Sequence, residues 1–243
     1  MLKYFTLKVL GIFDLLHQHR IFKFLKKNNL INFDVFFDIG AHKGESINLF
    51  LKNFNINKIY SFESSPINFK ILKGNLPKLK KKFKRESINI ENLTLGSENK
   101  DGFLKQIDES SSSTLNNINI KSKYFKRKQS LVYSPKKKLF FNEIKIRIST
   151  LEGYIAQNNI DIIHFMKIDT EGYEYEILKG LGKKFNKVKL IMFEHHYHDM
   201  LQKRYTFSNI HKLLSENNFN QIFKAKMPFR KTFEYVYINK GKI

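Results

Sequence analysis

Residues 35–44 read VFFDIGAHKG, and this stretch decides the fold. The apolar run that opens with Val35 predicts a strand buried on both faces. Gly40 and Gly44 predict a tight loop after the strand, because glycine readily adopts positive φ. Apolar residues at helical spacing follow, so a helix begins near Gly44. A strand, a glycine-bearing loop and a helix N-terminus predict a ligand site, at which backbone N–H groups and the helix dipole face one ligand.

The rest of the chain alternates short apolar runs with helical patterns, which is typical of an α/β fold built from βαβ units. Pro66 behind Ser65 predicts the first turn and the cap of a second helix. Two strand-like runs near the end of the chain predict an antiparallel pair that closes a mixed sheet. The other predicted strands lie near 34–39, 58–63, 87–95, 162–169 and 188–194.

Length and composition predict the domain organisation. The chain has 243 residues, 42% of them hydrophobic, so we expect one core. Helical spacing at the N-terminus predicts a helical extension over 1–30, followed by the main domain over 31–243. Turn residues and dense lysine around 96–147 predict a basic insertion of loops and short strands. The chain has no cysteine, which excludes disulfides, thiolate nucleophiles and cysteine-bound metals.

The net charge of +22 raises the question of an anionic partner. Lysine, asparagine, isoleucine and phenylalanine all have A/T-rich codons, so genome composition accounts for part of the charge. We therefore interpret the lysines as a solvated surface and expect no specific binding of nucleic acid. No apolar stretch reaches the ~20 residues of a transmembrane helix. We expect a cytoplasmic protein, with peripheral membrane contact by the N-terminal helix as a second interpretation.

An acid follows the second predicted strand at Glu63, about twenty residues beyond the glycine loop, where an acid can bind both hydroxyls of a ribose. The dinucleotide pattern of three glycines is absent, which disfavours a pyrophosphate ligand. Asp38, at the end of the first strand, suits an amine or another positive centre. A nucleoside with an amino-acid tail, such as S-adenosylmethionine, satisfies these features. The alternative is that both acids are ordinary strand-end caps.

The fourth and fifth predicted strands both end in polar clusters. Open α/β sheets bind ligands at this edge, so we expect the clusters to share one site. Histidine is suited to accept a proton from an alcohol, although each histidine could instead serve in packing. Acids with histidines are also typical ligands of Mg²⁺ or Mn²⁺, but we expect no required metal. The clusters comprise Lys167, Asp169, Glu171 and Glu174 at the fourth strand, and Glu194, His195, His196 and His198 at the fifth.

Four stretches together resemble the FkbM family of S-adenosylmethionine-dependent methyltransferases: FFDIGAHKGE, YSFESSPINFKILKGNL, SSSSTL and KIDTEGYEYEILKGL. The resemblance runs from about residue 34 to 198. It implies the class I methyltransferase fold, a Rossmann-like mixed seven-stranded sheet flanked by helices, here with an N-terminal helical extension. It also implies S-adenosylmethionine as cofactor and methyl transfer to a hydroxyl of a sugar, glycan or secondary metabolite, and hence a small-molecule or glycan acceptor.

The resemblance further implies roles for single residues. The residues of the glycine loop and of the second strand end correspond to cofactor-binding positions: Asp38, Gly40, Ala41, His42 and Gly44 in the loop, and Glu63, the ribose-binding acid, with Ser64 beside it. Asp169 and Glu171 match the family's KIDxEG signature. We predict these two acids as catalytic residues, with His195 as the first candidate for the base and His196 as the second.

An alternative from another class is an RNA-binding protein or an RNA ribose methyltransferase. The net charge and the run KLKKKFKR at 78–85 suggest it. An adenine N-methyltransferase typically has an acid or asparagine, two prolines and an aromatic residue after the fourth strand, and DTEG lacks both prolines. The missing prolines leave ribose methylation open.

Overall fold

The computed structural model describes residues 2–84, 87–107, 113–132 and 141–242. The described helices are α1 (Leu2–Lys27), α2 (Glu45–Asn53), α3 (Pro66–Phe83), α4 (Lys123–Val132), α5 (Leu151–Gln157), α6 (Glu174–Lys179) and α7 (Phe207–Glu216). The described strands are β1 (Asn32–Ile39), β2 (Asn55–Phe62), β3 (Ile88–Glu91), β4 (Thr94–Gly96), β5 (Lys100–Ile107), β6 (Asn117–Ile118), β7 (Phe141–Thr150), β8 (Ile163–Ile168), β9 (Val188–His196), β10 (Leu201–Gln202), β11 (Phe219–Lys226) and β12 (Thr232–Asn239). Short 3₁₀ helices span Gly182–Lys187 and Lys240–Lys242.

Seven strands form the central sheet, in the order β11-β12-β9-β8-β1-β2-β3. β12 runs antiparallel to both β9 and β11, and the other neighbouring strands are parallel. This arrangement confirms the predicted mixed seven-stranded sheet with an antiparallel pair at its end. The chain order reverses between β1 and β8, and open α/β sheets bind ligands in the crevice that such a reversal creates.

Helices cover both faces of the sheet, each over its own apolar core. The face under α5, α6 and α7 buries Phe37, Met166 and Phe193, and we call it the α5–α7 face. The opposite face, under α1, α2 and α3, buries Phe36 and Met192, and we call it the α1–α3 face. Because side chains alternate along a strand, neighbours in sequence lie on opposite faces. The same alternation decides on which face of the sheet each polar residue at a strand end lies.

The predicted N-terminal helix is present as α1. Its last two turns bury Ile21, Phe22 and Leu25 in the core of the α1–α3 face, as expected of a packing helix. Leu15 and Leu16, one to two turns earlier, are exposed. No helix among the described residues is both long enough and apolar enough to cross a membrane.

The region predicted as a basic insertion contains longer strands than expected. β5 and β7 form an antiparallel pair, and β4 joins β7 to complete a three-stranded sheet. Isoleucines at 144, 146 and 148 alternate along β7, which is the pattern of a half-buried strand and explains the difference. Parts of this region, at 108–112 and 133–140, lie outside the described residues.

Candidate active site

The glycine loop uses its own amides internally. The amides of Gly40 and Ala41 both donate to the carbonyl of Phe62, and the amide of Gly44 donates to the carbonyl of Ala41. The amide of His42 donates to Glu63 Oε2, and the amide of Lys43 donates to Glu45 Oε2. The expectation that these N–H groups face a ligand is therefore wrong. A loop with its donors already engaged is a poor binder of phosphate.

Glu63 lies directly after β2 and connects the loop to α3. Its Oε2 accepts from the His42 amide and its Oε1 accepts from the Ser65 amide, each at 2.8 Å. Ser65 caps α3 by accepting from the Asn68 amide, as the sequence predicted. Burial raises the pKa of Glu63, against the opposing effect of its hydrogen bonds. Two backbone donors and the Asn68 side chain thus fix this carboxylate at the edge of the sheet.

A cleft lies at the C-terminal ends of β1, β2 and β8, at the reversal in strand order. Residues from both predicted groups line it, some from the cofactor-binding positions and some from the KIDTEG stretch. Its lining comprises Gly40, His42, Glu63, Ser64, Asn68, Leu104, Ser113, Leu115, Asp169, Thr170 and Glu171. Four predicted cofactor residues and two predicted catalytic residues therefore meet on one surface.

Three predicted cofactor residues do not reach this surface. Asp38 has no exposed surface, and its carboxylate accepts from Ser46 Oγ. Ala41 is buried in the core of the α1–α3 face. Gly44 has a φ of 95° at the start of α2, where a Cβ would meet Leu72. The structure thus places Asp38, Ala41 and Gly44 behind the loop, and their direct contact with a cofactor stays a prediction.

The loop after β8 has a strained backbone. Glu171 adopts a φ of 49° and Gly172 a φ of 91°. Glu174 is fully buried and accepts a hydrogen bond from the Gly172 amide at 2.8 Å. This acid therefore stabilises the loop backbone and does not face the cleft. Thr114 Oγ1 donates to the carbonyl of Glu171, and Tyr205 Oη donates to that of Gly172, holding the loop from two sides. Strain that is held this firmly is typical of a functional site.

A buried lysine joins the ends of β1 and β8. Lys167 Nζ lies 3.1 Å from Asp169 Oδ2 and 3.8 Å from Asp38 Oδ1. Burial raises the pKa of Asp169, but the Lys167 ammonium, hydrogen bonds from Glu194 and Lys167 and the charge of His196 together lower it below its usual value. The Asp169 side chain is 35% exposed to the cleft. It is therefore an ionised carboxylate that a ligand can reach.

His196 lies between two carboxylates. Its Nε2 is 3.3 Å from Glu171 Oε2 and 3.2 Å from Glu194 Oε1. Burial would lower the pKa of His196, but Glu194 and Glu171 raise it to about 9. The structure thus brings His196 to Asp169 and Glu171 as predicted, but as an imidazolium at neutral pH. An imidazolium donates hydrogen bonds and cannot accept a proton.

His195 points to the other face of the sheet. Its ring lies among Tyr197, Tyr205 and Phe207, with centroid separations of 4.7, 5.8 and 5.9 Å. Burial, and then the Lys203 ammonium, lower the pKa of His195 to about 3. His195 as the base stays a prediction that this placement does not favour, because alternation along β9 turns its ring away from Asp169.

α1 reaches the edge of the same site. Gln18 Nε2 donates to Glu234 Oε1 at 2.9 Å, and His17 Nε2 lies 2.7 Å from Glu234 Oε2. Glu234 on β12 is opposite Glu194 on β9 in the sheet register. Asp14 of α1 accepts from Arg230 in the turn between β11 and β12. The N-terminal helix is thus part of the wall beside the polar cluster.

Sequence reasoning missed several residues of the site. Asn68, Leu104, Ser113 and Leu115 line the cleft, and Tyr205 braces the loop after β8. Ser113 and Leu115 flank the threonine of the SSSSTL stretch, which was the available signal. Leu104 and Tyr205 carried no signal, because they come from a neighbouring sheet and from the segment before α7. In the described part of the chain, no group of three or more acidic or histidine side chains is arranged for a metal ion.

Comparisons with known proteins match this architecture. Methyltransferase FkbM from Methylobacillus flagellatus KT is similar over 84% of this chain and 43% of its own length, with 16% identity and a TM-score of 0.52. The chain thus spans less than half of that protein. Magnesium protoporphyrin IX methyltransferase from Synechocystis PCC 6803, solved with bound S-adenosylmethionine, has 6% identity over 98% of this chain and 79% of its own, with a TM-score of 0.49.

A third similar structure is a SAM-dependent methyltransferase from Aquifex aeolicus, with 11% identity over 89% of this chain and 88% of its own, and a TM-score of 0.46. A comparison with curated proteins gave no match. The model of the methyltransferase FkbM domain matches residues 38–220, which includes the glycine loop, Glu63, the KIDTEG stretch and the end of β9. This match covers most of the chain and agrees with the strand order and the position of the cleft, and it shows that the chain belongs to the FkbM methyltransferase family.

Proposed function

We propose that this protein is an S-adenosylmethionine-dependent O-methyltransferase acting on a hydroxyl of a sugar, glycan or secondary metabolite. The observation that carries the proposal is the cleft that Glu63 and Asp169 both line. Glu63 suits the ribose of the cofactor, and Asp169 suits an acceptor hydroxyl. Family membership supports methyl transfer, and the chemistry of the cleft supports an oxygen acceptor.

The cofactor side of the cleft fits a nucleoside without phosphate. The amides of the glycine loop are engaged within the protein, so the loop offers little to a phosphate group. The Glu63 carboxylate is held rigidly by the Ser65 and His42 amides and the Asn68 side chain, at the position where an acid binds ribose hydroxyls. Ser64 and Asn68 add polar groups on the same wall. When bound, S-adenosylmethionine supplies a methyl group already activated by its positive sulfur.

The acceptor side of the cleft offers an ionised carboxylate. Asp169 accepts a hydrogen bond from the acceptor hydroxyl, orients its oxygen, and would take its proton as that oxygen gains the methyl group and the carbon–sulfur bond of the donor breaks, leaving a neutral thioether. Lys167 keeps Asp169 ionised and fixed. His196, an imidazolium buried behind the cleft, donates to Glu171, which lines the cleft. Much of the rate enhancement comes from positioning, because the methyl donor is already activated.

The main alternative is ribose methylation of RNA. A net charge of +22 and the lysines of α3 and α4 favour an anionic partner. Ribose methylation uses the same hydroxyl chemistry, so the cleft accommodates both proposals. The distinction lies in the acceptor alone.

Calorimetry with S-adenosylmethionine and with its demethylated product tests the cofactor half. We expect Glu63→Ala to weaken binding roughly 10- to 150-fold, because a charge-assisted hydrogen bond is worth about 1.5–3 kcal/mol. Glu216→Gln, which changes an exposed acid at the end of α7, is the matched control and keeps wild-type affinity. Unchanged affinity in a folded Glu63→Ala variant removes the ribose role. Tighter binding of NAD than of S-adenosylmethionine overturns the assignment of the cofactor.

Transfer of a radiolabelled methyl group tests the acceptor half. The wild type is incubated with labelled S-adenosylmethionine and separate pools of monosaccharides, polysaccharides, phenolic metabolites and RNA. Label in a carbohydrate or metabolite pool, stable to conditions that cleave methyl esters, supports the proposal. Label confined to RNA at physiological salt supports the alternative.

A further inference from the structure

Glu194 occupies a central place in the polar cluster although the proposed reaction assigns it no role. It lies near the end of β9, two residues before His196, so both side chains project on the α1–α3 face. The residue is 8% exposed. A carboxyl group buried to this degree needs partners, since burial of an isolated charge is costly.

Glu194 contacts Asp169, which lines the cleft, and His196, which is buried behind it. Its Oε1 lies 3.2 Å from His196 Nε2. A side-chain hydrogen bond joins its carboxyl group to that of Asp169. Lys167 also contacts the Asp169 carboxylate, so Lys167 and Glu194 together hold it in place. Glu194 therefore forms the link between the Asp169 carboxylate and the His196 imidazolium.

A hydrogen bond between two carboxyl groups requires that one of them carries a proton. Burial, and then the charge of Asp169, raise the pKa of Glu194 to about 8, whereas the pKa of Asp169 is lowered. Glu194 thus holds the shared proton and donates it to Asp169. The charged and titratable groups that face Glu194 are Asp169, Glu171 and His196, with Glu234 opposite on β12, and with Arg230 and Tyr124 at longer range.

We propose that Glu194 is a positioning residue of the methyl-transfer reaction, which donates to Asp169 and accepts from His196 and so holds Asp169 toward the acceptor and fixes His196 behind it. This inference rests on the proposed function. It assigns to Glu194 no contact with the acceptor itself. It predicts that the geometry of the link matters more than the charge of the residue.

Two substitutions separate geometry from charge. In Glu194→Gln, the amide N–H donates to Asp169 and the amide oxygen accepts from His196, so the link survives without a titratable proton. In Glu194→Ala the link is lost. Glu216→Gln, the same chemical change at an exposed position on α7, serves as the matched control. Thermal unfolding of each variant checks that it is folded.

The first measurement needs no cofactor and no acceptor. NMR titration of the His196 ring in the free protein gives its pKa in each variant. We expect this pKa to fall in Glu194→Gln and Glu194→Ala by about 1–3 pH units, because Glu194 is ionised at the higher pH at which His196 titrates and both variants remove that opposite charge. It stays at its wild-type value in Glu216→Gln. An unchanged titration in both Glu194 variants overturns the link to His196, whether or not the protein is an O-methyltransferase.

The second measurement is the pH profile of turnover with the acceptor found in the labelling experiment. We expect Glu194→Ala to lower kcat about 10²-fold, the cost of misplacing a reacting group by about 1 Å. We expect Glu194→Gln to lose only about tenfold, because the amide keeps both hydrogen bonds, although its N–H makes a longer and weaker bond to Asp169 than a carboxylic O–H does. Turnover as low in Glu194→Gln as in Glu194→Ala, or near wild type in Glu194→Ala, overturns the positioning role. Absence of any labelled acceptor refutes the proposed function instead, and leaves the titration result as the test of the link.

Discussion

Gly40 is the point at which the glycine loop meets the loop after β8. Its φ of 88° lies in the region that L side chains rarely adopt. A Cβ on residue 40 would stand 1.9 Å from the carbonyl oxygen of Asp169 and 2.9 Å from its carbonyl carbon. These atoms are backbone, and the Asp169 amide is itself bonded to the carbonyl of Ile39 at 2.9 Å. The added methyl group of Gly40→Ala therefore forces the two loops apart.

The cost of this substitution has two parts. Placing alanine at positive φ costs about 1–2 kcal/mol. Overpacking against a fixed neighbour costs a further 1–3 kcal/mol or so. The expected loss of unfolding free energy is thus roughly 2–5 kcal/mol, which lowers the melting temperature by about 4–20 °C in a chain of this size. The shift also displaces Asp169, so we expect turnover to fall even in the folded fraction.

Thermal and urea unfolding measure the loss of stability, and methyl-transfer assays on the folded protein measure the loss of turnover. Gly74→Ala is the matched control, because Gly74 lies inside α3 and a Cβ added there would have nothing within 4 Å. That control gains about 0.5–1 kcal/mol from helix propensity. If Gly40→Ala unfolds like the wild type, the close approach of the two loops is refuted, and with it the account of how they build one cleft.

Two further predictions concern the acid and the histidines. Asp169→Asn lowers turnover roughly 10²–10⁴-fold while the affinity for S-adenosylmethionine stays near wild type, because a positioned proton acceptor is lost from the acceptor side alone; a matching loss of cofactor affinity contradicts this division of the cleft. The second concerns the free energy of unfolding in acid. Burial lowers the pKa of His195 in the folded protein to about 3, whereas in the unfolded chain it is about 6.5. The unfolded chain therefore binds this proton first, and stability is lost as the pH falls below 6.5. Between pH 6.5 and 5, we expect the unfolding free energy measured in urea to fall about 2 kcal/mol less in His195→Gln than in the wild type, since one proton is worth about 1.4 kcal/mol per pH unit. An equal pH dependence in both proteins refutes the lowered pKa.

The fold was predictable because its signals are local. The VFFDIGAHKG stretch contains the strand, the turn and the start of the next helix, and the spacing to Glu63 follows from one βαβ unit. The insertion was less predictable, because β5 and β7 pair across more than thirty intervening residues, and such pairing leaves no local signal. Cleft residues such as Leu104 come from this second sheet.

The site was predictable in its location but not in the use of each side chain. Residue type correctly indicated the cleft for Glu63 and Asp169. It could not indicate that Asp38 would be enclosed by Ser46 and Lys167, because that depends on how α2 packs on the end of β1. The loop amides were likewise engaged by Phe62 and Glu63, which belong to a different strand end.

The two adjacent histidines of β9 differ in pKa because the sheet places their rings on opposite faces. Along β9, Glu194 and His196 project on the α1–α3 face, and Phe193 and His195 on the opposite face. On one face the carboxylates raise the pKa of His196 to about 9, and on the other, burial and Lys203 lower the pKa of His195 to about 3. One step along the strand therefore separates an imidazolium that donates hydrogen bonds from a neutral ring that packs against tyrosines. Neither ring has the near-neutral pKa of a general base, so we propose that the proton of the acceptor hydroxyl passes to Asp169, a carboxylate of the cleft that Lys167 keeps ionised.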